Sequence, residues 1–229
     1  MTTSRDCLCI IGARRGSRRL KGKNKLPLNG KPLFVHAMET ARRSAIFDSI
    51  LFSTDDEEIL ARIRDFDDVL VDERPQNLAD SQTSMLEVIA YLLHQYPAIF
   101  SPVHSFCLLT PCQPFRTAEQ IQNAYRLYQE TKADSLISVT RFPFPPELAV
   151  DVVDQKVHRT WTGLVRGERF SPRFYPNGAI TIVNKDYFMQ HTEVFSSNTV
   201  AFEVPWPYSL DIDEERDYQL ALLLEKIFL

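Results

Sequence analysis

The apolar residues of this chain fall into short continuous runs that alternate with longer stretches at helical spacing. Cys7 to Ile11 is a short, wholly apolar run, which suits a strand buried on both faces. Pro32 to Ser44 carries Phe34, Val35, Met38 and Ala41 or Arg42 at roughly helical intervals. Ile50 to Ser53 predicts a second strand. Thr54 or Asp55 is then expected to cap a helix that runs to about Asp65, with acidic residues in its first turn where the helix dipole favours them. Val69 to Val71 predicts a third strand and Ser84 to about Gln95 a helix. Phe106 to Leu109, Thr117 to Thr131 and Leu136 to Thr140 continue as strand, helix and strand. Such alternation predicts a parallel sheet covered by helices on both faces.

The rhythm breaks at residues 141 to 176, which are rich in proline, arginine and aromatics. Only Leu148 to Val153 and Val157 to Trp161 carry strand signals there. The segment is expected to be an inserted β-rich arm, because its aromatic side chains need a surface to pack on. Strands resume at Ala179 to Val183 and Ala201 to Val204. A final helix is expected from about Glu214 to Ile227, with Leu220, Leu223, Leu224 and Ile227 on one face. The whole chain, 1 to 229, is expected to form one domain carrying the arm.

Composition narrows the classes. The chain has 229 residues, enough for a sizeable core, and its net charge of −4 gives no global attraction to nucleic acid. No apolar run approaches the length needed to cross a bilayer, and the polar start Met1 to Asp6 lacks the pattern of a signal peptide. Cys7, Cys9, Cys107 and Cys112 show no CxxC spacing, so they are expected to be free thiols in a reducing cytoplasm. Four of the seven glycines (Gly12, Gly16, Gly22 and Gly30) fall within the first thirty residues, which concentrates backbone freedom in one loop.

That loop, Gly12-Ala13-Arg14-Arg15-Gly16-Ser17-Arg18-Arg19-Leu20-Lys21-Gly22-Lys23-Asn24, follows the first strand. Ligands of open α/β sheets gather beyond the strand carboxyl ends. Glycines there expose backbone N–H groups to phosphate oxygens, while arginine and lysine neutralise charge. The spacing matches neither GxxxxGK[ST] nor GxGxxG. A solvated basic surface loop is the plain alternative, weakened by the clustering of glycines.

Ala13-Arg14-x-Gly16-Ser17 with Lys23-Asn24 resembles the signature loop of the CMP-sialic acid synthetases, the acylneuraminate cytidylyltransferases. Four further segments follow in the family's order: Ser53-Thr54-Asp55, Glu73-Arg74-Pro75 with Leu78-Ala79, Pro176-Asn177-Gly178-Ala179-Ile180, and Leu210-Asp211-Ile212-Asp213. The resemblance implies a Rossmann-like nucleotidyltransferase fold, mostly parallel, with the arm serving dimerisation. It implies transfer of CMP from CTP to the anomeric hydroxyl of a nonulosonic, sialic acid-like sugar, with release of pyrophosphate. Mg²⁺ (or Mn²⁺) is the implied metal, held by Asp211 and Asp213, whose two-residue spacing puts both carboxylates on one side of an extended segment. A helix cap is the competing role for Asp213.

By the same resemblance Ala13, Arg14, Gly16, Ser17, Lys23 and Asn24 take the nucleotide, and Arg74 lies near cytosine. Arg14, Lys23 and Asp211 carry the catalysis, with Lys23 stabilising charge on the leaving group. Arg15, Arg18, Arg19 and Lys21 are weaker candidates, of which at least two are expected to be merely solvated. Thr110, Gln113, Asn177, Arg166 and Arg169 are the candidates for the sugar, with Arg141 and Arg173 beside them as partners for its carboxylate. Asn177 beside Gly178 is equally a turn residue.

Departures from the family pattern concentrate on the sugar half. Leu109-Thr110-Pro111-Cys112-Gln113-Pro114-Phe115-Arg116 stands where members carry L-Q-P-T-S-P-x-R, so Thr110 replaces a glutamine. Lys21 and Arg19 replace a proline and a glycine. Sialic, legionaminic and pseudaminic acids all remain open as substrates. The alternatives are a transferase for another sugar or nucleotide (Kdo-type or GTP-using) and a catalytically silent nucleotide-binding relative. A homodimer is implied, with the arm reaching towards the partner's sugar pocket.

Overall fold

The computed structural model describes residues 6–159, 161–162 and 170–229. Strand β1 (Cys7–Ala13) leads through a short ribbon, β2 (Pro27–Leu28) and β3 (Lys31–Pro32), into helix α1 (Leu33–Ser44). There follow β4 (Ser49–Thr54), α2 (Glu57–Ile63), β5 (Val69–Glu73), α3 (Met85–Gln95), the single turn α4 (Pro97–Phe100), β6 (Ser105–Leu109), α5 (Ala118–Thr131) and β7 (Ser135–Arg141). The hairpin β8 (Val150–Val153) and β9 (Lys156–Arg159) precedes the long β10 (Phe174–Asn184), α6 (Lys185–His191), β11 (Thr199–Glu203) and α7 (Glu215–Phe228).

Among the described residues the central sheet has seven strands in the order β11-β7-β10-β6-β1-β4-β5. All neighbours are parallel except β10, which runs antiparallel to both β6 and β7. A mostly parallel sheet is therefore correct, with one reversed strand inside it. The pleat explains the two covered faces. On β1, Cys7, Cys9, Ile11 and Ala13 pack into one core cluster with α1 and α5, whereas Leu8 and Ile10 pack into the other with α3.

Helix starts are set by side-chain caps. Ser84 and Glu87 form a reciprocal capping box on α3, and Thr117 with Gln120 does the same on α5. The cap of α2 corrects the expectation of Thr54 or Asp55: Asp56 holds the position, its carboxylate accepting the backbone N–H groups of Glu58 and Ile59. Thr54 instead turns its hydroxyl to the Ala13 carbonyl across the sheet.

Two further expectations change. In the arm, β9 ends at Arg159 and the strand expected from Ala179 starts already at Phe174, so Phe174 to Pro176 extend β7's partner strand. Arg166 and Arg169 lie outside the described residues. On α7 Leu220 and Leu224 face inward as expected, together with Tyr218, Ala221, Leu222 and Phe228, while Leu223 and Ile227 are exposed. A helix with leucine at consecutive positions does not reveal its buried face by spacing alone.

A third apolar cluster positions the site. Leu20 of the basic loop, Phe115 after β6, and Leu210 and Ile212 before α7 are buried together against Leu28, Leu33 and Ala221. Three loops far apart in sequence are thereby fixed beside one another.

Candidate active site

The strand order reverses at β1: β4 and β5 build outward on one side and β6 begins the other. Crevices at such switch points, beyond the strand carboxyl ends, are where open α/β sheets bind ligands. The loop after β1 and the loop after β6 meet there in a cleft of about 490 Å³. Its walls include Gly12, Arg14, Ser17, Arg18, Arg19, Lys23 and Asn24 from one side, Thr110 and Cys112 from another, and Asp213. This volume suits a small-molecule ligand.

The basic loop is held by its own polar groups. Asn24 is buried and donates from Nδ2 to the Arg14 carbonyl at 3.1 Å. The Arg15 backbone N–H donates to Asp55 Oδ1 at 2.7 Å. Arg14 reaches the Asp80 carbonyl at 2.9 Å, and Arg18 donates to the Ser81 hydroxyl. Gly16 borders a second hollow beside Asp55 and Asp80, and a Cβ there would meet open space. The Ala13 methyl, by contrast, is buried in the core, so only its backbone faces the loop.

Gly12 leaves room for two side chains that press against it. A Cβ there would lie 2.9 Å from the Met85 thioether and 3.1 Å from Arg74 Nη2. Arg74 itself is buried beneath the cleft floor and does not line it. It donates from Nε to Ser53 Oγ and from Nη2 to the Ser53 carbonyl, and Ser53 donates onward to the buried Asp72. Burial pulls the Arg74 guanidinium down, opposed by the charges of Asp55 and Asp72.

Opposite the loop stands the acidic pair. Lys23 Nζ lies 2.8 Å from Asp213 Oδ1, and Arg19 Nη2 lies 2.5 Å from Asp213 Oδ2. Burial raises the Asp213 carboxyl, but the Lys23 hydrogen bond and the charges of Lys23 and Arg19 outweigh it, leaving a net lowering. On Lys23, burial works downward and is overcome by Cys112, Asp213 and Asp211, for a net rise. The capping role for Asp213 is excluded. It is the Asp217 carboxylate that accepts the backbone N–H groups of Asp213 and Glu214 at the start of α7.

Asp211 sits one step back, behind Cys112. The Ile212 N–H donates to the Cys112 carbonyl at 2.8 Å, and the Cys112 thiol hydrogen-bonds the Asp211 carboxylate. Asp211 Oδ1 is buried and has no hydrogen-bond partner. Burial, with Asp213 nearby, raises its pKa. An orphaned carboxylate oxygen beside a second, cleft-lining carboxylate is the kind of oxygen donor set a hard divalent cation takes. Among the described residues no group of three or more histidine, cysteine, aspartate or glutamate side chains could hold a metal ion unaided.

The sugar candidates divide. Thr110 lines the cleft, and its hydroxyl donates to Gln113 Oε1. Gln113 is buried and points inward, donating from Nε2 to the Asn177 carbonyl. Asn177 is likewise committed: Oδ1 accepts from the Ser138 hydroxyl and the Ala179 N–H, and Nδ2 donates to Thr140. Both amides are thus fasteners of the wall, where the sequence suggested sugar contacts. Gly178, with φ of 72°, makes the irregularity of β10 between Pro176 and Thr181 possible. Arg173 is paired with Glu147 at 2.7 Å.

Sequence reasoning missed Arg116 altogether. Fully buried, it donates to the Ala179 carbonyl at 2.7 Å and the Thr110 carbonyl at 3.3 Å, bracing the same two segments as Gln113. Its place in the Pro111 to Arg116 segment was the only signal available.

A cleft at the switch point of a mostly parallel sheet, walled by a glycine- and arginine-rich loop and an acidic pair, defines a nucleotidyltransferase-type α/β protein. A family model described as cytidylyltransferase matches residues 8–226, and the chain belongs to that family. It is similar to an N-acylneuraminate cytidylyltransferase of Escherichia coli O18:K1:H7, 33% identical over 96% of this chain and 52% of that protein. The chain thus spans about half the length of that relative. It is also similar to a pseudaminic acid cytidylyltransferase of Campylobacter jejuni serotype O:2, 27% identical over 96% of both chains. In fold it resembles a solved CMP:2-keto-3-deoxy-manno-octonic acid synthetase complexed with CTP, with a TM-score of 0.70, 16% identity, and coverage of 97% of this chain and 99% of that one. Among the described residues no helix is long and apolar enough to cross a membrane.

Proposed function

We propose that this chain transfers CMP from CTP to the anomeric hydroxyl of a nonulosonic acid. The new bond joins the anomeric oxygen to the α-phosphorus as the hydroxyl loses its proton. The bond between the α-phosphorus and its bridging oxygen breaks, and pyrophosphate leaves. The carrying observation is the convergence of Arg14, Arg18, Arg19 and Lys23 on one cleft that also holds Asp213. Similarity to the Campylobacter protein, which matches over nearly its whole length, supports the sugar class.

Arg14 and Lys23 bind and orient the phosphates, and Lys23 neutralises charge that grows on the departing pyrophosphate. Ser17 and Asn24 hold the loop's shape, Asn24 through its bond to the Arg14 carbonyl. Arg74, beneath Gly12, supports the floor on which the base rests. Asp211 and Asp213 would hold Mg²⁺ or Mn²⁺, which when bound makes the α-phosphorus more electrophilic. Thr110 offers its oxygen to the sugar, since its proton is committed to Gln113. The four free thiols suit a reducing cytoplasm.

The same reading extends to a homodimer. Phe144 before the hairpin and Val152 and Val157 on it are 78%, 66% and 63% exposed, apolar surface of the kind a partner subunit covers. Light scattering tests this: a fully active monomer at assay concentration would exclude it.

Mass spectrometry of the product tests the reaction. CTP and a panel of sialic, legionaminic and pseudaminic acids plus Kdo should give one CMP-sugar. A product formed only with Kdo would move the chain to that branch, and CTP binding without any product would favour a silent relative.

A further inference from the structure

Arg19, only a weaker candidate for the nucleotide by sequence, lines the cleft and contacts Asp213. Two cations, Arg19 and Lys23, grip the two oxygens of that one carboxylate at 2.5 and 2.8 Å. Arg19 Nη1 also approaches Glu214 at 3.9 Å. With each oxygen of Asp213 held by one of these cations, a divalent cation must displace one of them and approach the other to reach the carboxylate. Coulomb repulsion at such distances opposes its entry.

A triphosphate reverses this balance. It presents several strong anionic oxygens to the same wall, and guanidinium–phosphate pairs are well matched in geometry. Arg14 and Arg18 already face the cleft, so Arg19 and Lys23 are the cations that must change partners to join them.

We propose that Arg19 is a further positioning residue, which with Lys23 masks Asp213 in the nucleotide-free protein and is drawn off it by the triphosphate. The divalent-cation position then opens only when nucleotide is present. This rests on the reading of Asp211 and Asp213 as the metal carboxylates. Nucleotide and metal are therefore positively coupled, each tightening the other by the same factor. A metal bound ahead of nucleotide would be an unproductive state, and Arg19 suppresses it.

The test is Mn²⁺ affinity of the nucleotide-free protein, read by electron paramagnetic resonance, for wild type, Arg19→Ala, Arg15→Ala and Asp213→Asn. Arg15→Ala removes the same charge from the same loop without touching Asp213. An exposed ion pair is worth up to about 1 kcal/mol, so Arg19→Ala should tighten Mn²⁺ binding about three- to fivefold. Arg15→Ala should leave it within about twofold, the change a remote, screened charge produces. Equal affinity in wild type and Arg19→Ala, including no binding to either, would overturn the masking role. Equal tightening by Arg15→Ala would overturn it too, by reducing the effect to net charge. Unchanged Mn²⁺ binding in Asp213→Asn would instead remove the metal assignment, and the masking role with it.

Discussion

Lys23 and Asp213 are 190 residues apart in sequence and joined by a 2.8 Å hydrogen bond across the cleft. That pair ties the basic loop to the segment before α7, and it places the cation expected to stabilise pyrophosphate against the carboxylate expected to hold a metal. Lys23→Met should lower kcat about 100-fold or more, the usual loss for removing one preorganised charge from a reacting centre. The check is steady-state kinetics with CTP varied, beside circular dichroism to show that the fold is kept.

Asp211 bears a cost in the ligand-free state. Its Oδ1 is buried without a partner, and burial raises its pKa. Asp211→Asn should therefore stabilise the nucleotide-free protein by about 1 kcal/mol while abolishing turnover, a trade of stability for function. Urea unfolding of both proteins at neutral pH measures it. Its sign is fixed: a carboxyl raised in the folded state costs stability when ionised, so the gap should close as pH falls through its folded pKa.

Gly12 is close-packed against Met85 and Arg74. Gly12→Ala should destabilise the protein by about 1 to 3 kcal/mol through overpacking. Because the nearest atoms belong to the flexible end of Met85, Gly12→Ala with Met85→Ala should relieve part of the clash. Thermal denaturation of the single and double variants would show whether the two changes couple.

Gln113 braces the wall through Thr110 and Asn177. Gln113→Leu leaves the Asn177 carbonyl unpaired and frees the Thr110 hydroxyl, at a cost of about 1 to 3 kcal/mol in stability. The KM for the sugar should rise while that for CTP stays near its wild-type value. Kinetics with each substrate varied in turn separates the two.

Cys112 is the one cysteine left partly exposed, and its partial burial, with Asp211 beside it, pushes its thiol up to about 11. Alkylation by iodoacetamide should therefore be slow at neutral pH and climb about tenfold per pH unit until it levels near that value. Bound CTP should protect it, because Cys112 lines the cleft. Mass spectrometry of the labelled peptide follows both effects.

The fold was largely legible because its elements carry local signals. Ser84 with Glu87 and Thr117 with Gln120 mark helix starts, and the continuous apolar run at Cys7 marks a strand buried on two faces. Reversal of β10 was not legible, since pairing direction leaves no trace in a period of two. Three adjacent cap-competent residues, Thr54, Asp55 and Asp56, hid which one caps α2 until the cross-sheet bond of Thr54 was seen. At the site, loop chemistry and the acidic pair were readable. The inward commitment of Asn177 and Gln113 and the Arg19 contact to Asp213 were not, because each depends on partners brought together only by folding.

Pyrophosphate release is the most direct measure of whether this cleft transfers a cytidylyl group. Purified protein with Mg²⁺ should release it when CTP and one nonulosonic acid are both present. Release should stop without the acid, with GTP replacing CTP, or in Asp213→Asn. Turnover with GTP and none with CTP, or undiminished release by Asp213→Asn, would contradict that function.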